Sequence, residues 1–263
     1  SIKNIYKTSL GGQATQSLDV TWKNCIKIIS ELKNKINNFK DRVAIISVTG
    51  QGDGTWLIDK KGKPVCDAWL WLDSRSSDIV KKLSKLNSEK FRFDLTGTGI
   101  FAGQQSSQIS YMNKNNPEIL DQSSTAFHCK DWIYFKLTNV RATDPSEACF
   151  TFGNFRTRQY DENVINGLGL SKRKNLLPDI IDGSKVTHPL SDNVATLIGL
   201  NSGTPIALGY IDAVCTFLGS GGLDINKDVG NSILGTTGGH MKATEISQIV
   251  PNSNLKSGYI MLL

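Results

Sequence analysis

Several specialised classes of protein are excluded by what this sequence lacks. No apolar run approaches the roughly 18 residues needed to cross a bilayer, and the N-terminus has none of the basic, apolar, small-residue order of a secretory signal. No membrane partner is expected, and a cytoplasmic location is the default. Histidine is scarce: His128, His188 and His240 stand far apart. The cysteines Cys25, Cys66, Cys129, Cys149 and Cys215 are odd in number and form no Cys-x-x-Cys pair. They read as reduced, mostly buried thiols. A metal site built from His and Cys and a His-based triad are therefore not expected, and any metal should arrive with a nucleotide. There is no Gly-x-x-x-x-Gly-Lys-[Ser/Thr] phosphate loop. There is also no repeat, low-complexity tract or Pro/Ser linker, which leaves one α/β domain as the expected organisation.

What is present fits a soluble globular chain: 263 residues, 39% apolar and 8% aromatic, enough to bury a core. The net charge of +6 raises the question of nucleic acid. The basic residues are dispersed, however. Lys81-Lys82 with Lys85, and Lys172-Arg173-Lys174, read as solvated faces because no aromatic or Gly-rich recognition pattern accompanies them. No nucleic-acid partner is expected, whereas a modest positive field would favour a polyphosphate ligand.

Trp22, Ile26, Ile29, Leu32 and Ile36 recur at helical spacing and predict an amphipathic helix over 22–39. Arg42 to Val48 is a continuous β-branched apolar run, expected as a central strand buried on both faces. A strand at Thr55–Asp59, a turn at Lys60–Lys63, a return at Pro64-Val65 and another strand at Ala68–Leu72 follow. Helices are expected at Ser76–Leu86, Gln104–Lys114 and Ser124–Leu137. Pro205–Gly209 reads as a buried strand feeding a helix through Leu218, and Val229–Leu234 with His240–Thr244 as a hairpin. Ser1 in place of Met, and the uncapped apolar run Gly258–Leu263, lead to the expectation that the native chain continues.

Gly50-x-Gly52-x-Gly54 invites a dinucleotide reading, but that fingerprint must open a helix, and here a strand follows. What remains is a turn at the carboxyl end of a strand, presenting Gln51 and Asp53 at neighbouring exposed positions. An amide and a carboxylate suit polyhydroxyl recognition; an Asx-stabilised hairpin turn is the open alternative. Trp71, Asp73 and Arg75 end another strand, where they could grip a sugar, or Asp73 could simply cap the next helix. Asp144-Pro145-Ser146-Glu147 reads as a capping box, and Lys130-Asp131-Trp132 as helix interior. In Gly209-Tyr210-Ile211-Asp212-Ala213 a strand delivers Asp212 to a helix start, where backbone N–H groups and the dipole would hold it ionised. Asp212 could serve as a general base in phosphoryl transfer or merely as a cap. Leu234 to Gly239, with Gly235, Thr236 and Thr237, could set N–H groups against phosphate oxygens, or be an ordinary hairpin loop.

The order of these motifs resembles one family. Val48-Thr49-Gly50-Gln51, Trp71-x-Asp73-x-Arg75, Lys130-Asp131-Trp132 with Leu137-Thr138, Thr143-Asp144-x-Ser146-x-Ala148, Leu177-Pro178, Gly203-Thr204-Pro205-Ile206, Gly209-x-x-Asp212 and Gly235-Thr236 are similar to the N-terminal domain of FGGY carbohydrate kinases over roughly residues 18 to 245. The resemblance implies a ribonuclease-H-like, actin/hexokinase-type α/β domain with a mixed central sheet and flanking helices. Residues 1–245 would be the sugar-binding half, and 246–263 the start of a connection to an ATP-binding domain. It also implies ATP and Mg²⁺ in the whole protein and phosphorylation of a small sugar or polyol. The matching residues would be Asp212 as base, Gln51, Asp53, Trp71, Asp73, Arg75 and Tyr210 on the substrate, and Gly235, Thr236 and Thr237 on the nucleotide phosphates. The expected partners are the sugar or polyol and ATP, with a homodimer left open. Nothing before Ser17 matches the family's Asp-x-Gly-Thr-like hairpin, so this stretch alone is expected to bind sugar weakly and phosphorylate nothing. Asp53 stands where xylulose- and glycerol-kinase-like members carry His or Arg-Glu. Gly52-Asp53-Gly54-Thr55-Trp56 looks most like erythritol-kinase-like members, which implies a tetritol, pentitol or ketose. The rival expectation is a non-catalytic sugar-sensing or actin-like interaction domain.

Overall fold

The computed structural model describes residues 1–224, 229–234, 238–252 and 258–263. It opens with an antiparallel hairpin of β1 (Lys7–Thr8) and β2 (Ala14–Gln16). Helix α1 (Leu18–Lys35) begins four residues before the periodic pattern predicts, because Ser17 caps it: its hydroxyl accepts from the Val20 N–H. The expected strand from Arg42 is mostly absent. A one-turn helix α2 (Phe39–Arg42) consumes its start, Ile45 is 54% exposed, and only β3 (Ile46–Val48) pairs. Among the described residues β3 lies at a sheet edge, so its burial alternates instead of covering both faces.

Then come β4 (Trp56–Ile58), β5 (Ala68–Trp69), α3 (Ser77–Leu83), α4 (Asn87–Thr96), α5 (Gln105–Asn115) and α6 (Pro117–Gln122). The helix expected over 124–137 is two elements, β6 (Thr125–Phe127), which pairs antiparallel with β4, and α7 (Cys129–Thr138). The pairing partner of β6 is distant in sequence, and the three apolar-rich residues are too few to show a period of two. Next are β7 (Ala142–Thr143), α8 (Pro145–Thr151), β8 (Gly153–Asn154), β9 (Gln159–Tyr160), α9 (Glu162–Gly167), β10 (Asp179–Ile180), β11 (Thr187–Pro189) and α10 (Asp192–Ile198). The described chain closes with β12 (Pro205–Leu208), α11 (Asp212–Gly219) and the hairpin of β13 (Gly230–Leu234) and β14 (Gly238–Lys242).

A mixed sheet orders the site. β12 runs parallel to β3 (Leu208 beside Val48) and antiparallel to β11. Helices α1, α7 and α10 pack on it through Val48, Tyr134, Leu137, Ile198 and Ile206. A second cluster of Trp56, Ile58, Phe127 and Trp132 joins β4 and β6 to α7. Burial of such side chains contributes about 1.5–3 kcal/mol each, so the ends of β3 and β12 stand on a rigid base. No described helix is long and apolar enough to cross a membrane.

Candidate active site

Because β3 and β12 are parallel neighbours, their carboxyl ends deliver the loops 49–54 and 209–212 to one edge, the usual place for ligands in such sheets. The two loops are stitched together. Gly209 N–H donates to Val48 O at 2.8 Å, the Thr49 hydroxyl to Tyr210 O at 2.7 Å, and Asp212 N–H to Gly50 O at 2.9 Å. The Asp212 carboxylate accepts from the N–H groups of Ala213 and Gly52. Those bonds favour the ionised form, as the sequence led one to expect. Partial burial outweighs them, however, and the carboxyl is raised above its ordinary value.

The turn is as close to α11 as atoms allow. A Cβ on Gly52 would stand 1.8 Å from Ile211 Cδ1, and one on Gly54, at φ 75°, 2.5 Å from Trp69 O. Gly52→Ala is therefore expected to push the turn away from Ile211 and weaken ligand binding there about tenfold or more, since overpacking costs about 1–3 kcal/mol. Adding Ile211→Val, which removes the nearer obstructing carbon Cδ1 and leaves Cγ1 at 2.5 Å, should recover part of the loss. If the double variant is no better than the single one, this contact is not what sets the position of the turn.

A cleft of about 1300 Å³ opens here, lined by Gln51, Asp53, Trp71, Asp212, Phe101 and Arg158 among others, with β14 along one side. Four of the residues singled out from sequence thus meet in one place. Three others do not border it. Asp73 and Arg75 are occupied with each other at 2.7 Å, Asp73 also accepts from Ala14 N–H at 2.9 Å, and the Arg75 guanidinium lies 3.3 Å over Trp69. They fasten β2 to β5. The Tyr210 hydroxyl points to Asp182 at 3.4 Å. Gly235, Thr236 and Thr237 lie outside the described residues.

Asp53 departs from expectation. It is only 7% exposed, with φ 56°, and its own N–H donates to Glu147 Oε2 at 3.3 Å. Glu147 was read as the far half of a capping box. Asp144 does cap α8, accepting from Ser146 N–H at 2.9 Å, but Glu147 turns to the underside of the 49–54 turn instead. Nor is His128 isolated: its Nδ1 lies 3.0 Å from Asp131 and its Nε2 3.6 Å from Glu147. His128 and Asp131 form the capping box of α7, placing Asp131 at that helix's first turn and not in its interior. Fully buried Lys130 joins Asp131 at 2.9 Å and Asp144 at 2.5 Å. The Ser146 hydroxyl donates to Asp144 at 2.6 Å and accepts from Ile211 N–H at 3.0 Å. A continuous polar chain thus runs beneath the site from the Asp212 loop to Asp53. The sequence carried a signal for its anchor, a His three residues before Asp131 at capping-box spacing, but nothing local pointed to Glu147. Of the cysteines, only Cys149 is fully buried, and all five are free. Among the described residues no group of three or more His, Cys, Asp or Glu side chains could hold a metal ion.

Residues 1–219 match the FGGY family of carbohydrate kinases, N-terminal domain. The chain belongs to this family. The match starts earlier than the motifs do, because the β1–β2 hairpin carries none of them, and it stops before β13. Over 263 residues the chain is 49% identical to erythritol kinase of Brucella abortus, covering 100% of this chain and 50% of that protein. The xylulose kinase of Rhodospirillum rubrum superposes with a TM-score of 0.86 at 20% identity, covering 95% of this chain and 50% of that one. A glycerol kinase of Plasmodium falciparum, solved with ADP, gives 0.72 at 22% identity over 85% of this chain and 45% of its own. The fold is the ribonuclease-H-like, actin/hexokinase-type α/β architecture of the FGGY kinases. The FGGY chain described here spans about half the length of the curated relatives it matches.

Proposed function

We propose that the protein carrying this FGGY domain transfers the γ-phosphoryl group of ATP to a hydroxyl of a small polyol or ketose, with a tetritol such as erythritol as the preferred acceptor. The observation that carries this reading is the joining of Asp212 to the Gly50–Gly54 turn, which sets a carboxylate and the hydroxyl-reading pair Gln51 and Asp53 on one cleft wall. The acceptor oxygen attacks the γ-phosphorus, the bond from that phosphorus to the bridging oxygen of ADP breaks, and Asp212 takes the hydroxyl proton. Gln51 and Asp53 orient the substrate and Trp71 offers it an apolar wall. Asp73, Arg75 and Tyr210 act from outside the cleft, by holding the turn and strand ends in place. Residues 1–245 form the sugar-binding half and 246–263 lead toward an ATP-binding half, with Gly235, Thr236 and Thr237 at the phosphates. Mg²⁺ enters with the nucleotide, and no residue of this chain is assigned to it.

The 49% identity to a protein named erythritol kinase supports the tetritol, as does the Gly52-Asp53-Gly54 form of the turn. The test is an ADP-release assay of the full-length protein on tetritols, pentitols, ketoses, hexuloses and glycerol. Erythritol or another tetritol should show the highest kcat/KM. Inert tetritols and pentitols beside reactive glycerol or hexuloses would refute the substrate, and no turnover on any of them would favour a sugar-sensing domain.

A further inference from the structure

Behind the substrate turn, three neighbouring residues each bury a polar side-chain atom without a hydrogen-bond partner: Asp53 Oδ1, Glu147 Oε1 and His128 Nε2. Glu147 is central. Its Oε2 lies 3.3 Å from the Asp53 amide nitrogen and 3.6 Å from His128 Nε2, and its Oε1 is 3.3 Å from where a Cβ would stand on Gly52. His128 is held from its other nitrogen by Asp131 at 3.0 Å. Glu147 thus lies between His128 and Asp53, so two buried carboxyl groups stand beside one another and the imidazole faces Glu147. Two carboxylates in such a place cannot both ionise cheaply, so one keeps its proton. The imidazole on the Glu147 side favours the charge on Glu147 and the proton on Asp53, the member that borders the cleft.

We propose that Glu147 is a specificity-determining residue that acts through Asp53, occupying the underside of the turn as the partner of His128 and leaving Asp53 a neutral acid whose hydrogen faces the substrate. A neutral carboxyl both donates and accepts, whereas an ionised one only accepts. The pair Asp53 and Gln51 then matches a vicinal diol of an uncharged, hydroxyl-rich substrate. This deepens the kinase reading above and rests on it only for the identity of that substrate.

The surrounding charges agree in direction. Burial, then Glu147, push the Asp53 carboxyl well above the usual carboxylate range; His128 from α7 pulls it back, and Asp212 from α11 adds to the rise. Burial, then Asp53, raise the Tyr259 hydroxyl. Burial lifts Glu147 to about 7 against the pull of His128 and Lys130, with Asp131 and Asp144 reinforcing the rise, so it remains the more acidic of the two. His128 is lifted to about 9: burial opposes its charge, but Glu147 and Asp131 prevail.

The experiment uses the full-length protein labelled with ¹³C at the aspartate Cγ, the Asp53 resonance being identified by its loss in Asp53→Asn. Asp53 should give a neutral-acid shift at pH 7. Glu147→Gln removes a neighbouring negative charge and should move its titration down by about one pH unit or more, whereas His128→Gln removes a positive one and should move it up. Opposite signs distinguish this role from general structural damage, and His128→Gln alone still tests it if Glu147→Gln fails to fold. An Asp53 already ionised at pH 7, or a titration displaced the same way by both substitutions, overturns the proposal. In the kinase assay, KM for erythritol should rise as pH passes the Asp53 titration, and that rise should shift with the same signs, a one-unit shift being tenfold in KM at fixed alkaline pH. An active kinase whose KM profile ignores both variants also overturns it. Absence of turnover on every polyol would refute the kinase reading and leave the carboxyl titration to decide this one.

Discussion

Asp212→Asn in the full-length protein is expected to lower kcat about 10²- to 10⁴-fold, the usual contribution of a positioned general base. KM for the sugar should change by less than about threefold. Asn keeps the shape of Asp and one oxygen that can accept from Gly52 and Ala213, so the turn stays where it is. What disappears is the proton acceptor proposed for the attacking hydroxyl. Burial raises the Asp212 carboxyl, so the wild-type kcat should fall on the acid side at a higher pH than an ordinary carboxylate would impose. The base works only when ionised, so activity is present above that value and lost below it. Near-normal turnover by Asp212→Asn, measured by ADP release at saturating sugar, would remove Asp212 from the chemistry.

The largest loss of stability is expected from Lys130→Met. Lys130 is fully buried between Asp131 and Asp144. Burial disfavours the charge on both Lys130 and Asp131, yet mutual attraction prevails: the ammonium is held above its ordinary range and the Asp131 carboxyl below. Removing the cation leaves buried Asp144 without its cation and Asp131 with His128 alone, which costs about 3–5 kcal/mol. The urea midpoint should fall accordingly. Lys81→Met, which breaks an exposed pair with Asp78, should leave it nearly unchanged. Asp131, with its depressed folded value, adds stability that is present above 3.8 and lost as pH falls below it. The deficit of Lys130→Met should therefore shrink toward acid, where the stranded carboxylates take up protons. Equal midpoints for the two variants at neutral pH would show that the buried cation is dispensable.

Much of the site was legible because its signals are local. A strand followed by Asp212 at a helix start, Asp144 before Pro145, and glycines followed by a strand rather than a helix all depend on residues a few positions apart. Other expectations failed where a distant partner decided the outcome. β6 exists because β4 is there to pair with it. Asp53 looks exposed in a Gly-rich turn until α8 places Glu147 beneath it. Asp73 and Arg75 look like ligands until β2 offers an amide and Trp69 a ring face.

The sequence by itself therefore determined the mixed α/β class and set Gln51, Asp53 and Asp212 in loops at strand ends, since periodicity, caps and turn chemistry act over a few residues. Only the tertiary structure decided which of those side chains share a wall, and that a buried chain of Lys130, Asp131, His128 and Glu147 sets the charge beneath it. Electrostatic coupling depends on distance in space and on the removal of water, and neither is written in the spacing of residues along the chain.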